Sequence, residues 1–337
     1  MKKQAKAMGE RALIEQIRSG SRGRFRGLAL GIGDDCAILR PAAGSEVLVT
    51  TDFSLEGRHF RRDVHPAESV GHRCLARGLS DLAAMGAVPM AAFLSLALPG
   101  EMLATSRGRS WVEGFFRGLW GLGDRYKCSL AGGDTAESGS GTTGVGLVLA
   151  DITLVGTAPR GKTLRRSGGR VGDWLYCTGR LGGAAAELEG MLARGRMGRI
   201  GAGEHPQLFP EPRVAVGEAL RRRGLAGACI DLSDGLSTDL GHLCAESGVG
   251  AEVEEAALPL HPLAVGARAL ELALNGGEDY ELLFSAAAGV KVPRSLAGVA
   301  IARIGRLVRG KAVTLVRADG QRERLEAGGW EHFRGSD

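Results

Sequence analysis

Apolar runs that end in aspartates flanked by Gly, Ser or Thr constrain this 337-residue chain more than any other feature. Four such runs predict buried strands, whose end loops meet at one sheet edge. Converging carboxylates repel one another unless cations lie among them, and their hard oxygens suit Mg²⁺ together with phosphate oxygens. The sequence therefore predicts metal-assisted phosphate chemistry. The acidic segments are GDD at Asp34 and Asp35, TTD at Asp52, LSD at Asp81, GGD at Asp134, and DLSDG at Asp231 and Asp234.

The length predicts two domains, because roughly 150 residues is the usual size of a single core. Strand and helix patterns alternate in both halves, which is typical of an α/β or α+β fold. The stretch TAPRGKTLRRSGGRVGD, rich in Gly, Arg and Ser, separates the two alternations. We therefore expect domains at residues 1–160 and 161–337.

Composition argues against several classes of protein. The net charge is +5, and Arg and Lys are scattered in ones to threes, which does not favour nucleic-acid binding. The six cysteines form no CxxC and lack His at zinc spacing, so neither a disulfide framework nor a zinc site is expected, and a cytoplasmic location fits. The basic start MKKQAKAM lacks the apolar core of a signal peptide. Gly86 and Pro89 interrupt the uncharged stretch at 82–100, which we interpret as a helix end, a turn and a buried strand.

The acidic segments of the first half each have an ordinary interpretation and a functional one. GIGDD alone would be an exposed turn. TTD is expected to end a strand, where Thr50, Thr51 and Asp52 offer either a cap or three hard oxygens for a metal. Asp81 lies in an otherwise apolar helix that leaves little room for a solvated face. GGDT combines Asp134 with glycines that let backbone N–H groups reach a phosphate.

Two further acidic segments lie in the second half. DLSDG fails the calcium-loop template, because counting from Asp231 puts Leu236 and His242 where Gly and Glu are needed. A helix is predicted to start directly after this segment, which favours metal and phosphate ligation at the helix N-terminus. NGGEDYELLF puts Glu278 and Asp279 on a turn before a strand, and ordinary turn chemistry explains them equally well.

The segment GTAPRGKT at residues 156–163 matches the P-loop pattern GxxxxGK[ST]. Its surroundings argue against a P-loop, because Pro159 removes a loop N–H group. Ser167, Gly168 and Gly169 leave no room for the phosphate-binding helix that must follow. We interpret this match as a coincidence.

Seven segments in sequence order resemble the thiamine-monophosphate kinases: GIGDDCAIL, TTDFSLEGRHF, LSDLAAMGAVP, LAGGDT, GxxPRGKxLRRSG, IDLSDGLSTDLGHL and NGGEDYELLF. This family belongs to a superfamily of ATP-binding enzymes that includes aminoimidazole ribonucleotide synthetase and selenophosphate synthetase. The resemblance covers nearly the whole chain. It implies a two-domain α/β (α+β) fold, with an N-terminal ATP- and Mg-binding domain whose sheet pairs across a homodimer, and a C-terminal α/β domain that completes the active-site cleft.

The resemblance also implies roles for individual residues, and it leaves open whether Asp34 and Asp279 are ligands or structural. No general base is expected. ATP contacts are assigned to Gly133, Asp134, Arg166 and Ser233. Substrate contacts are assigned to His59, Glu278 and Trp330. Mg²⁺ ligation is assigned to Asp35, Thr50, Thr51, Asp52, Asp81, Asp134, Asp231 and Asp234.

The implied reaction moves the γ-phosphoryl group of ATP directly onto thiamine monophosphate, assisted by several Mg²⁺ ions, without a nucleic-acid or membrane partner. The accepting phosphate has a second pKa of about 6 and is already largely ionised near neutrality. Two alternatives stay open. One is another member of the superfamily that acts on a different phosphate or amide acceptor, and the other is a non-catalytic Mg-nucleotide sensor.

Overall fold

The computed structural model describes residues 8–21, 27–139, 146–195 and 201–330. Contacts between residues divide the chain into two compact units. The first comprises the described residues of Met1–Leu79, Pro89–Arg160 and Arg194–Ile200, and the second those of Ser80–Val88, Gly161–Ala193 and Gly201–Asp337. The main change of unit, between Arg160 and Gly161, follows the end of a long strand.

The first unit contains four helices and six strands among its described residues. Pro66 precedes the helix Ala67–Ala84, as expected for a residue whose fixed φ suits a helix start, and Gly86 at φ +66° follows the end of this helix. The last residues of that helix, from Ser80, group with the second unit. The elements are α1 Glu10–Gly20, β1 Leu28–Leu30, β2 Ile38–Leu39, β3 Ser45–Leu55, α2 Ala67–Ala84, β4 Val88–Pro99, α3 Gly100–Ala104, α4 Ser106–Tyr126, β5 Ser129–Ser138 and β6 Leu149–Pro159.

A four-stranded sheet with the order β3-β6-β4-β5 organises this unit. β3 pairs antiparallel with β6 along its whole length, and β4 pairs parallel with β5. The helix α2 packs on β6, where Gly78 lies against Leu154. Phe115 and Phe116 of α4 are fully buried. On the face of β3 that points away from α2, three apolar side chains are exposed: Val47, Val49 and Phe53.

The second unit is a mixed sheet with helices packed on it. The sheet has the order β14-β13-β9-β12-β7-β10-β8, with β11 added to β12, and β9 and β13 are parallel. Leu236, Leu240 and Leu243 share one face of a helix and enter its core. The elements are β7 Trp174–Thr178, α5 Gly183–Arg194, α6 Val214–Arg222, β8 Cys229–Asp231, α7 Leu236–Ser247, β9 Gly250–Glu254, α8 Ala269–Asn275, β10 Leu282–Ala286, β11 Ser295–Leu296, β12 Val299–Val308, β13 Val313–Val316 and β14 Arg322–Arg324.

The mixed helix and strand content agrees with the predicted fold class, but two predicted strand ends were wrong. TTD lies in the middle of β3, and GGDT lies inside β5, so neither segment is a loop. GTAPRGKT spans the end of β6 and a turn, and the described residues from there to β7 form no helix, as expected for a coincidental P-loop match. Among the described residues, no helix is both long enough and apolar enough to cross a membrane.

Candidate functional site

The first unit contains a cavity of about 700 Å³ whose mouth is formed by two of the acidic segments. The GIGDD loop lies between β1 and β2, and GGDT lies on β5. Asp34, Asp35 and Asp134 therefore line the same cavity, although 99 residues separate Asp35 from Asp134 along the chain. The predicted convergence of these two segments is found within this unit.

Gly133 explains how the backbone reaches the edge of this cavity. Its φ is +143°, and a Cβ atom there would lie 1.9 Å from the carbonyl oxygen of Leu94 on the neighbouring strand. Only glycine fits this conformation and this contact. The next residue, Asp134, is exposed, and its carboxylate accepts a hydrogen bond from the Thr135 amide at 2.9 Å.

The GIGDD loop carries two exposed carboxylates. Asp34 accepts a hydrogen bond from the Asp35 amide at 2.9 Å, the same local contact that Asp134 makes with Thr135. The guanidinium of Arg18 in α1 packs against Gly33 of this loop. Arg18 therefore brings a positive charge to the rim of the cavity, which Asp34 and Asp35 also line.

Most of the surface inside the cavity is apolar, and no sequence pattern indicates which residues form its walls. Phe93 and Phe116 come from β4 and α4, and Leu130 comes from β5. These residues look like ordinary core positions in the sequence, because their periodicity reports burial and not which space they surround. Arg18 gave no signal either, since a basic residue in the last turn of a helix is common.

The alternation of β3 separates the three predicted metal ligands of TTD. Thr50 and Asp52 face α2, where the Nε atom of Arg77 lies 3.9 Å from Oδ1 of Asp52. The hydroxyl of Thr51 is on the opposite face and donates to Oδ1 of Asp151 at 2.7 Å. The prediction that three side-chain oxygens meet at this segment is wrong, because successive strand side chains point in opposite directions.

His59, the predicted substrate contact of the first unit, is half-buried after the end of β3. Its Nδ1 atom accepts a hydrogen bond from the Leu55 amide at 3.0 Å, and its carbonyl oxygen accepts one from Nη1 of Arg73 at 2.9 Å. An acceptor role for Nδ1 favours the tautomer that carries its proton on Nε2. These contacts fix both the backbone and the ring of His59.

In the second unit, Asp231 connects β8 to the last turn of α2. Asp231 is buried, and its Oδ2 atom accepts a hydrogen bond from the Ser80 hydroxyl at 2.6 Å. Ser80 directly precedes Asp81, which is partly buried. Two predicted metal ligands that are far apart in sequence therefore belong to neighbouring segments of this unit.

Backbone hydrogen bonds join the DLSDG segment to both predicted substrate contacts of this unit. The Glu278 amide donates to the Ser233 carbonyl at 2.8 Å, and the Trp330 amide donates to the Asp234 carbonyl at 3.0 Å. The indole of Trp330 is about half exposed, at 49%. Four predicted site residues thus form one cluster, which we call the acceptor cluster: Ser233, Asp234, Glu278 and Trp330.

A buried carboxylate accepts hydrogen bonds from the backbone of this cluster. Asp239 of α7 accepts hydrogen bonds from the amides of Asp234 and Gly235, at 3.0 and 3.1 Å. Burial raises the pKa of Asp239 to about 7, with a further contribution from the nearby Asp234 charge. The backbone that carries Asp234 is therefore held to the first turn of α7.

The NGGEDYELLF turn contains backbone conformations that are uncommon for residues with side chains. Glu278 has φ +67° and Tyr280 has φ +49°, and such strain persists where surrounding contacts impose it. Asp279 accepts hydrogen bonds from the Gly182 and Ala184 amides, at 2.7 and 3.1 Å, so it caps the N-terminus of α5. Burial raises the pKa of Asp279 to about 7. These bonds give Asp279 a structural role.

Arg166, a predicted ATP contact, lies in the second unit. The side chain of Arg166 is exposed, and its carbonyl accepts a hydrogen bond from the Ser247 hydroxyl at 2.8 Å. Within the described ranges, no three His, Cys, Asp or Glu side chains are grouped closely enough to hold a metal ion by themselves. Asp35 and Asp134, which line one cavity, are hard oxygen donors of the kind that Mg²⁺ uses together with waters and substrate phosphates.

Two protein-family models match the chain: "AIR synthase related protein, N-terminal domain" at residues 33–159 and "AIR synthase related protein, C-terminal domain" at residues 170–317. Among curated proteins, the thiamine-monophosphate kinase of Escherichia coli O157:H7 is 36% identical over 97% of this chain and 99% of its own length. The Haemophilus influenzae thiamine-monophosphate kinase is 35% identical over 83% of this chain and 82% of its own length.

Solved structures give the same result. The thiamine-monophosphate kinase of Stenotrophomonas maltophilia K279a is similar with a TM-score of 0.77 at 35% identity, covering 94% of this chain and 98% of that one. "AaThiL complexed with AMPPCP and TMP" is similar with a TM-score of 0.72 at 30% identity, covering 96% and 97%. An Escherichia coli hydrogenase maturation protein, HypE, shares the fold at 20% identity, with a TM-score of 0.75 over 94% and 98% of the two chains. This chain belongs to the thiamine-monophosphate kinase family.

Proposed function

We propose that the protein transfers the γ-phosphoryl group of ATP to thiamine monophosphate and releases thiamine diphosphate and ADP. The observation that carries this proposal is the acceptor cluster, where a carboxylate and a half-exposed indole lie on backbone bonded directly to DLSDG. A relative of nearly the same length is described in complex with AMPPCP and TMP. Family membership and this cluster favour the same substrates.

The cavity of the first unit supports ATP as the phosphoryl donor. Its walls are apolar and aromatic, which suits a purine ring, while its mouth has carboxylates and the glycine backbone of GGDT. Nucleotide sites commonly combine a mostly apolar pocket with a few polar groups that fix orientation. We assign Gly133 and Asp134 to the ATP contacts of this unit, and Arg166 and Ser233 to those of the second unit.

The acceptor cluster supports thiamine monophosphate as the acceptor. Thiamine contains a cationic thiazolium ring and an aminopyrimidine ring. An indole face attracts a cationic ring, and a carboxylate attracts the same charge and accepts hydrogen bonds from amino groups. We assign Trp330 and Glu278 to these contacts, together with His59 in the first unit.

The acidic residues support Mg²⁺ as the metal. Asp35 on its loop and Asp134 on β5 line the first-unit cavity, and Asp231 ends β8 beside Ser80. Bound Mg²⁺ would neutralise phosphate charge and align the donor and the acceptor. The full assignment is Asp35, Thr50, Thr51, Asp52, Asp81, Asp134, Asp231 and Asp234, of which the Thr51 hydroxyl lies on the face of β3 opposite Asp52.

The protein needs no general base for this reaction. The nucleophile is a phosphate oxygen that is already largely ionised, so the barrier is electrostatic. Two unit charges at 4 Å repel by about 4 kcal/mol even at an effective dielectric of 20. The role of the side chains is therefore to hold two polyanions in line at a fixed separation. A phosphorylated protein trapped during turnover would contradict direct transfer.

An acceptor comparison tests the proposed function. With ATP in excess, we expect ADP and thiamine diphosphate to form in equal amounts when thiamine monophosphate is present. Thiamine and unrelated phosphate monoesters should give at most about 1% of that rate, because they lack either the accepting phosphate or the contacts to the acceptor cluster. A protein that binds ATP but turns over with none of these compounds would instead be a nucleotide sensor.

We also propose that two copies of the chain associate through β3. This strand is at one edge of the first-unit sheet, and Val47, Val49 and Phe53 on one of its faces are 51%, 64% and 59% exposed. An exposed apolar face on an edge strand is typical of an interface. We expect a solution mass of twice the 35.2 kDa of one chain, and a shift to one chain for Val49→Asp. A wild-type protein of 35.2 kDa at micromolar concentration would contradict this assembly.

A further inference from the structure

Gln207 contacts the acceptor cluster from a position that none of the acidic segments includes. It lies between α5 and α6 and is almost completely buried, at 1% exposure. Its Nε2 atom donates a hydrogen bond to Oε2 of Glu278 at 2.8 Å. A buried neutral amide is therefore bonded directly to the carboxylate that we assign to the acceptor.

The backbone of Gln207 is anchored independently of its side chain. The Gln207 amide donates to Oε2 of Glu187 at 2.8 Å, and Oε1 of Glu187 accepts from Nδ1 of His205 at 2.7 Å. The Gly201 carbonyl and the Glu187 carboxylate raise the pKa of His205, which strengthens this anchor. A change of the Gln207 side chain should therefore leave the course of this segment unaltered.

The position of the Gln207 side-chain oxygen does not stabilise the fold. Its Oε1 atom is buried and has no hydrogen-bond partner among the described residues. Exchanging the positions of the amide oxygen and the NH₂ group would not solve this. An ionised carboxylate only accepts hydrogen bonds, so the NH₂ group must face Glu278. A buried unpaired acceptor destabilises a fold, and an apolar side chain of similar size would avoid that cost.

The effect of this arrangement is to fix the orientation of the Glu278 carboxylate. Its backbone is held at φ +67°, and its Oε1 atom lies 3.5 Å from the Tyr280 hydroxyl. The amide of Gln207 fixes the other carboxylate oxygen. Because the amide is neutral, it orients the carboxylate without cancelling its negative charge, which an Arg or Lys in its place would do.

We propose that Gln207 is a positioning residue that holds the Glu278 carboxylate in the orientation that recognises the thiamine part of the acceptor. This inference rests on the proposed function of the acceptor cluster. It makes Gln207 a determinant of the KM for the acceptor, without a role in ATP binding or in the transfer step.

The test compares Gln207→Met with wild-type protein. Methionine is similar in length and unbranched, but it has no N–H donor. We expect the KM for thiamine monophosphate to rise about tenfold, the loss typical of one hydrogen bond to a charged group, while kcat and the KM for ATP stay within about twofold. The Tm should stay close to that of the wild type, because the variant removes the unpaired oxygen and the hydrogen bond to Glu278 together.

A second variant, Gln207→Glu, adds a pH signature that a packing role would not produce. Two facing carboxylates repel at neutral pH, whereas at acidic pH a shared proton supplies an O–H donor. We therefore expect the ratio of the acceptor KM of this variant to that of the wild type at the same pH to fall towards one as the pH is lowered from about 8 to about 5.5. Gln321→Met, at an exposed turn of the same unit, is the matched control and should change nothing.

The outcomes separate this inference from the function on which it rests. An active wild type with an unchanged acceptor KM in Gln207→Met would overturn the positioning role alone. Equal losses for both substrates together with a lower Tm would assign Gln207 to packing and also overturn it. A wild type that does not phosphorylate thiamine monophosphate would overturn the proposed function and this inference together.

Discussion

Replacing Asp134 with asparagine is expected to lower kcat/KM for phosphoryl transfer by about a thousandfold while leaving the fold intact. The side chain is exposed at the mouth of the first-unit cavity, and an asparagine oxygen can still accept the hydrogen bond from the Thr135 amide. The loss of one negative charge near bound cations removes about 4 kcal/mol at 4 Å and an effective dielectric of 20. At 1.36 kcal/mol for each factor of ten, this corresponds to roughly three orders of magnitude.

Glu137→Gln provides the matched control for this change. Glu137 is an exposed acid on the same strand and is not among the residues that line the cavity. Both variants should unfold at the same urea concentration as the wild type. If Asp134→Asn kept more than about a tenth of the wild-type kcat/KM, Asp134 would not be a ligand of the catalytic metal.

Gly133→Ala is expected to remove most of the stability of the first unit. The new Cβ atom would lie 1.9 Å from the Leu94 carbonyl oxygen, which is part of the β4 backbone and cannot move alone. The φ of +143° adds conformational strain for any residue with a side chain. We expect a loss of more than about 4 kcal/mol, which approaches the total stability of an ordinary domain.

Urea unfolding followed by circular dichroism measures this effect, and Gly121→Ala is its control. Gly121 is an exposed glycine in the interior of α4, and nothing lies within 4 Å of the Cβ atom it would gain. Alanine there should stabilise the protein by about 0.5–1 kcal/mol. A Gly133→Ala protein within about 1 kcal/mol of the wild type would show that β4 and β5 can separate at this point.

The spacing of apolar residues predicted the strands that carry TTD and GGDT but not where those strands end. Apolar residues mark the buried part of a strand, whereas its length depends on the partner strand. β3 continues past Asp52 because β6 pairs with it as far as Leu55, and β5 continues through Gly133 because β4 pairs with it. These pairings are tertiary, so local patterns do not report them.

The contacts at the candidate site are also tertiary, so local sequence patterns did not predict them. Backbone hydrogen bonds such as that from Glu278 to Ser233 join DLSDG to NGGEDYELLF. The glycine-rich patterns indicated two turns but not that these turns are in contact. Trp330 was assigned from family resemblance alone. Gln207 and Phe116 have ordinary residue types in ordinary contexts, and only the folded chain brings them to Glu278 and to the cavity.

We propose that carboxylates of this chain use Mg²⁺ to bring ATP and thiamine monophosphate together. The most direct measurement is the initial rate of thiamine diphosphate formation as Mg²⁺ is varied at fixed, saturating ATP and thiamine monophosphate. We predict no turnover in excess EDTA and a rate that continues to rise after all ATP is present as MgATP, because ions beyond the one carried by the nucleotide are needed. A rate that is unchanged by EDTA, or that stops rising once MgATP formation is complete, would contradict this account.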